Sequence, residues 1–247
     1  MRFEMAPLAI ESATSERTAF IRRTYAHLAG AILAFTLLEV ALFKFLAPAF
    51  PGVDQALQNF VRSPISQLVV LLAFIGVSFL ARYWASNGGS AAMQYAGLGL
   101  FVVAQAVIFV PILYIAIHYF SSTILLSAAI LTLSLFAGLT AVVFITGKDF
   151  SFMASILTIA SFLMLGIVLC VVALSLTTGF QTGWYFSMGI AIFGVMLAAG
   201  FILYDTSNIM LHFRTDQHVA ASLELFSSIA YLFFQILRIL MLTQSRD

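Results

Sequence analysis

Apolar residues run along this chain in seven stretches, each long enough for a helix to cross a bilayer, with short polar breaks between them. The hydrocarbon layer is about 30 Å thick and takes about 20 helical residues to span. Residues about 24–47, 66–83, 92–117, 121–145, 152–176, 184–211 and 220–242 meet that length. Their apolar character goes all the way round a helical wheel, as in a membrane span and unlike the one-sided stripe of a surface helix. The breaks are mostly too short to fold alone. The longest, 48–65, holds Pro48, Pro51, Gly52, Asp54 and Pro64 and reads as a turn-rich loop. Residues 1–23 are polar and mixed in charge, which predicts a flexible tail before the bundle, with 243–247 as a short tail after it. The first apolar stretch is of span length and reads as an uncleaved signal-anchor.

Composition sharpens this picture. Of the 247 residues, 62% are hydrophobic and 9% charged, where soluble domains carry about 25% charged residues. The fold class is therefore an all-α integral membrane protein, a seven-transmembrane-helix bundle over residues 24–242 with no separate soluble domain. A net charge of +1 gives no support for nucleic-acid binding. The single cysteine, Cys170, lies in an apolar run and reads as a buried packing residue. Gly194 and Ala198, one turn apart, and Gly97, Gly138 and Gly166 are candidates for close helix approach. Pro111 predicts a kink in the third span. Orientation follows from lysine and arginine. With the N-terminus inside, seven of these (Arg2, Arg17, Arg22, Arg23, Arg82, Lys148, Arg214) fall inside and four (Lys44, Arg62, Arg238, Arg246) outside, which predicts N-inside and C-outside.

Candidate chemistry lies in the charges that the membrane ought to exclude. Asp205 falls within the sixth apolar run, in Gly200-Phe-Ile-Leu-Tyr-Asp-Thr206. A carboxylate at mid-membrane costs roughly 2.5–3.5 kcal/mol on insertion scales, so it is expected to face the bundle interior and do something there. Glu224 sits a short way into the seventh run, and the two are nearly symmetric about residues 214–215. In an antiparallel hairpin such residues reach similar depth, about 9 Å in for six residues at helical rise. If they face each other they share a proton or a cation, which makes them a pH switch or a transient calcium site; otherwise Glu224 is interfacial and solvated. Arg82 ends the second span on the same side, either as a partner for Asp205 or as an ordinary anchor. Glu39 and Lys44 lie toward the other side and either pair or snorkel, and Arg238 is a second partner for Glu39. Enzyme signatures are missing: there is no H-E-x-x-H and no G-x-S-x-G. Tyr204-Asp205 resembles the first motif of intramembrane aspartyl proteases, but the second, Gly-x-Gly-Asp, is absent and dyad chemistry needs both. We expect no catalysis and no cofactor.

Three strings then combine: Gly147-Lys-Asp-Phe-Ser-Phe-Met153, the Tyr204-Asp205-Thr206 segment, and Ser222-Leu-Glu-Leu-Phe226 followed by Ile236-Leu237-Arg238. With seven spans they resemble the Bax inhibitor-1 family, over essentially the whole membrane region and most closely its bacterial branch, which includes pH-sensitive calcium-leak proteins and a modulator of the FtsH membrane protease. The resemblance implies a central helix ringed by the others, a bacterial inner-membrane location, and a two-aspartate sensor with an arginine latch. Asp205 matches the first aspartate and Arg82 the latch. Ser228 holds the place of the second aspartate, and Glu224, one turn earlier on the same face, is the candidate substitute. Two functions are implied. One is a pH-sensitive calcium or cation leak through lipid-embedded helices. The other is a regulator of the FtsH protease working through residues 1–23.

Overall fold

A computed structural model describes residues 7–46, 52–86, 90–121 and 123–245. Arg2, Pro48, Pro51 and Arg246, named above, lie outside them. The described elements are α1 (Thr14–Ala41), continued by a π-helical turn (Leu42–Leu46), then α2 (Val53–Arg62), α3 (Pro64–Ser86), α4 (Ala91–Tyr119), α5 (Ile124–Thr146), α6 (Met153–Thr178), α7 (Trp184–Leu211) and α8 (His218–Gln244). All but α2 are long and apolar enough to cross a membrane, giving seven candidate spans in an all-α bundle.

The centre is α8, which packs against α1, α3, α4, α5 and α7. Its buried residues occur all around it, from Val219 and Leu223 to Leu232 and Leu237. By contrast, Leu157 is the one fully buried residue of α6, whose other side chains are half-buried or exposed. Helices are the form in which a chain meets lipid without orphaned backbone groups, and threonines inside them follow the same rule. Thr36 and Thr132 donate to the carbonyls of Ile32 (2.8 Å) and Ala128 (2.7 Å) four residues back. Phenylalanines build the middle of the bundle, with Phe35 edge-on to Phe109 at 5.3 Å and Phe101 edge-on to Phe226 at 6.0 Å. Trp184, at the start of α7, donates its indole N–H to the Leu242 carbonyl at the end of α8 (2.7 Å), closing the other end of that hairpin.

Several expectations change. The segment 48–65 is not only turns, since Val53–Arg62 is a helix following Gly52, whose φ of 94° is left-handed. The Pro and Gly at its flanks mark its ends rather than a loop. Helix α1 begins at Thr14, ten residues before the first apolar stretch, and residues 7–9 ahead of it are bonded to the α7–α8 turn. Leu8 and Arg214 form an antiparallel bridge. The Ala9 N–H donates to the Phe213 carbonyl (2.8 Å) and the Thr215 N–H to the Pro7 carbonyl (3.2 Å). Ala9 is fully buried. The N-terminal segment and the α7–α8 turn therefore lie on one face of the bundle. Cys170 is exposed, because α6 is peripheral. Gly138 and Gly166 face open space, whereas Gly97 and Gly194 are contact points. Helix α4 continues through Pro111 without a break. We expect the amides of Ala9 and Thr215 to exchange slowly with deuterium, and Ala9→Asp, which puts a charge into a closed site, to accelerate both. Fast exchange of both amides in the unmodified chain would contradict the strap.

Candidate functional site

Three helices bring charged and hydroxyl groups together on the side that carries the α7–α8 turn. Helix α8 contributes Glu224 and, three and four residues after it on the same side, Ser227 and Ser228. Helix α3 contributes Arg82, and α7 contributes Asp205. The close approach of α3 to α4 sets Arg82 in place. Gly97 lies against the Ala81 carbonyl and the Ala85 amide, and a Cβ there would stand 2.6 and 2.7 Å from them. Only glycine permits that approach, and Ala81 immediately precedes Arg82.

The Arg82 guanidinium forms an ion pair with the Glu224 carboxylate through Nη1. Its Nη2 donates to the Ser227 hydroxyl at 2.8 Å, and its plane lies over the Phe101 ring with Cζ 5.6 Å from the centroid. Asp205 is buried, 8% exposed. Its Oδ2 accepts a hydrogen bond from the Ser228 hydroxyl. Beside it, the Ser207 hydroxyl receives the Phe150 amide (2.9 Å) and donates to the Lys148 carbonyl (3.3 Å), tying the α5–α6 loop to α7.

All four residues singled out in the sequence thus meet, with the partners exchanged. Arg82 does not pair with Asp205 directly; it takes Glu224. Asp205 and Glu224 do not bond to each other; Ser228, in the place of the second aspartate, bonds Asp205. The exchange has an axial cause, about 6 Å of helical rise. Glu224 and Ser228 are one turn apart, so Glu224 reaches Arg82 at the end of α3 while Ser228 stands opposite Asp205. Ser227 was missed, since the serine beside Ser228 carries no signal of its own until an arginine faces it. The contact of His27 with Tyr95 (2.9 Å) and His218 (ring centroids 5.0 Å apart) was missed for the same reason.

Two cavities meet at the ion pair. One, of about 180 Å³, lies toward the α7–α8 turn and is lined by Arg82, Asn208, His212, Gln217 and Glu224. The other, of about 530 Å³, runs deeper and is lined by Arg82, Gln105, Tyr204, Asp205, Glu224 and Ser228 among others. Arg82 and Glu224 line both, so the pair stands as a partition. It joins α3 to α8, while Ser228 and Asp205 join α8 to α7.

Comparison with known proteins agrees with this architecture. The sequence model of the family described as "Inhibitor of apoptosis-promoting Bax1" matches residues 17–246. Bax inhibitor 1 of Schizosaccharomyces pombe is 30% identical over 241 residues, covering 96% of this chain and 81% of the yeast protein. Protein lifeguard 4 of Mus musculus is 26% identical over 231 residues, 91% of this chain and 85% of that one. An uncharacterized membrane protein of Vibrio cholerae is 30% identical over 187 residues, 75% of this chain and 78% of its own length. The chain therefore belongs to the Bax inhibitor-1 family of multi-pass membrane proteins.

Proposed function

We propose that the protein is a pH-sensitive cation leak, with calcium as the favoured ion, oriented N-inside in a bacterial plasma membrane. The observation that carries the reading is the Arg82–Glu224 pair between two cavities at one end of the bundle. With the pair made, a guanidinium blocks the way to the buried Asp205. With it broken, the Ser227 hydroxyl is the remaining polar tie from Arg82 to α8 among the described residues, and the hold of α3 on α8 is weakened. Protonating Glu224 removes the charge that holds Arg82. Protonating Asp205 removes the charge that a cation would meet in the deeper cavity. Carboxylate oxygens suit calcium, and two of them at different depths favour passage over storage. His212 lines the smaller cavity beside the pair.

The alternative, a brake on the FtsH protease that offers residues 1–23 as a handle, has less support. Residues 7–9 are bonded to the α7–α8 turn and residues from Thr14 are helical, so most of that handle is engaged by the protein itself.

The test is calcium flux into dye-loaded liposomes carrying the purified protein, scanned from about pH 5 to 8. We expect a pH-dependent flux, and a changed pH profile in Asp205→Asn. A folded protein without flux at any pH would remove the leak reading and leave protease regulation as the better account.

A further inference from the structure

A third cavity, of about 460 Å³, lies between α1, its π-helical continuation, α4, α5 and α8. It touches the Asp205 cavity only at Phe109, which lines both. Its walls are almost wholly apolar, with Phe35, Phe43, Phe109 and Phe233 among them, and one carboxylate lines it, that of Glu39. Glu39 is 7% exposed, and both of its oxygens are buried without a hydrogen-bond partner. The expected partners do not serve it: neither Lys44 nor Arg238 forms an ion pair with Glu39 among the described residues. Thr36 and Thr132, also in the wall, spend their protons on carbonyls of their own helices. The only other charged lining group is Lys44, which is exposed in the π-helical turn just beyond Glu39.

A buried carboxylate with no partner is costly, and an apolar cavity of this size is of the kind that holds small molecules. The cavity asks for one positive charge that can donate hydrogen bonds, attached to an apolar body. A bare metal ion does not fit, because calcium takes six to eight oxygen ligands and the wall offers one carboxylate and two hydroxyls. An alkylammonium does fit, with its N–H groups on Glu39, its charge over phenylalanine faces and its chain along the aliphatic wall. The π-helical turn after Glu39 is a form of helix that concentrates at ligand sites.

We propose that this cavity is a binding site for lipophilic primary amines, with Glu39 as the ammonium receptor and Lys44 as a competing charge at its edge. The site is separate from the Arg82–Glu224 partition and does not depend on the leak reading.

The probe is an octylammonium bearing a diazirine on its chain, photocrosslinked to the full-length protein in lipid nanodiscs, with the labelled peptides sequenced. We expect saturable labelling of the segments holding Phe35, Phe43 and Phe233, suppressed by unlabelled octylammonium and not by 1-octanol. Glu39→Gln should weaken it about tenfold, the scale of a lost charged hydrogen bond. Lys44→Met should strengthen it. Ala129→Phe fills the cavity from α5 without touching the charge and should abolish labelling. Asp205→Asn should leave it unchanged. Equal competition by octanol, or labelling by Glu39→Gln protein equal to the unmodified chain while Ala129→Phe also labels normally, would overturn the proposal.

Discussion

Gly97→Ala is expected to destabilise the bundle by about 1–3 kcal/mol, the usual cost of overpacking, although it adds a single methyl group. The new Cβ would stand 2.6 Å from the Ala81 carbonyl oxygen and 2.7 Å from the Ala85 nitrogen. Those are backbone atoms of a helix and cannot rotate away, so α3 and α4 must separate. Gly200→Ala makes the same chemical change, and its Cβ would meet the Leu157 Cδ2 at 2.7 Å. That atom is the end of a flexible side chain, so a rotamer change absorbs most of the cost. Gly138→Ala would meet nothing within 4 Å. There the helix gains, by up to about 1 kcal/mol from alanine's better propensity. Thermal unfolding of the three variants in one detergent should therefore rank Gly97→Ala well below the unmodified chain, Gly200→Ala slightly below it, and Gly138→Ala at or above it. An equal response at all three positions would contradict the α3–α4 contact. The Gly97 variant should also disturb the Arg82–Glu224 pair, because the helix that must move carries Arg82 immediately after Ala81.

Reversing one member of that pair is the second large effect. Arg82→Glu sets two carboxylates against each other where Asp205 also lines the cavity, and Glu224→Arg sets two guanidinium groups together. The side chains of both are about one third exposed, at 36% and 33%, so the pair is worth less than a fully buried one. A loss of about 1 kcal/mol shifts a two-state balance by about fivefold. We expect both single variants to unfold at lower temperature and, under the leak reading, to raise calcium flux at neutral pH by about that factor. The double variant, Arg82→Glu with Glu224→Arg, should recover much of both losses, since the exchanged charges again attract. A double variant that behaves as the sum of the two singles would remove the pair from the account. Recovery of stability without any effect on flux would keep the pair and separate it from the gate.

Much of this arrangement was legible along the chain. Hydropathy gave seven spans because lipid penalises every unpaired backbone group and every charge, which makes long apolar helices unmistakable. Asp205 stood out by the same penalty. The near symmetry of Asp205 and Glu224 about the α7–α8 turn predicts similar depth, but Asp205 bonds Ser228, one turn further into α8 than Glu224. Other features were illegible for physical reasons. Val53–Arg62 reads as a loop in the sequence because its flanking prolines and glycine are helix-ending signals as much as turn signals. The docking of Pro7 and Ala9 on Phe213–Thr215 uses backbone hydrogen bonds, which leave no trace in side-chain pattern. Glu39 had two cationic candidates by spacing, and the fold gives it neither.

The sequence by itself determined the number of spans, because lipid makes a long apolar stretch a one-dimensional property of the chain, and the family, through its motif strings. The tertiary structure alone decided how the charged groups pair: Arg82 with Glu224, Ser228 with Asp205, and Glu39 with no partner among the described residues. The rotation of each helix about its axis is set by packing. Where Gly97 lets α3 meet α4, and where Gln235 of α8 lies against Gly194 of α7, small residues fix those rotations, and a rotation of one residue position would give every charge a different neighbour.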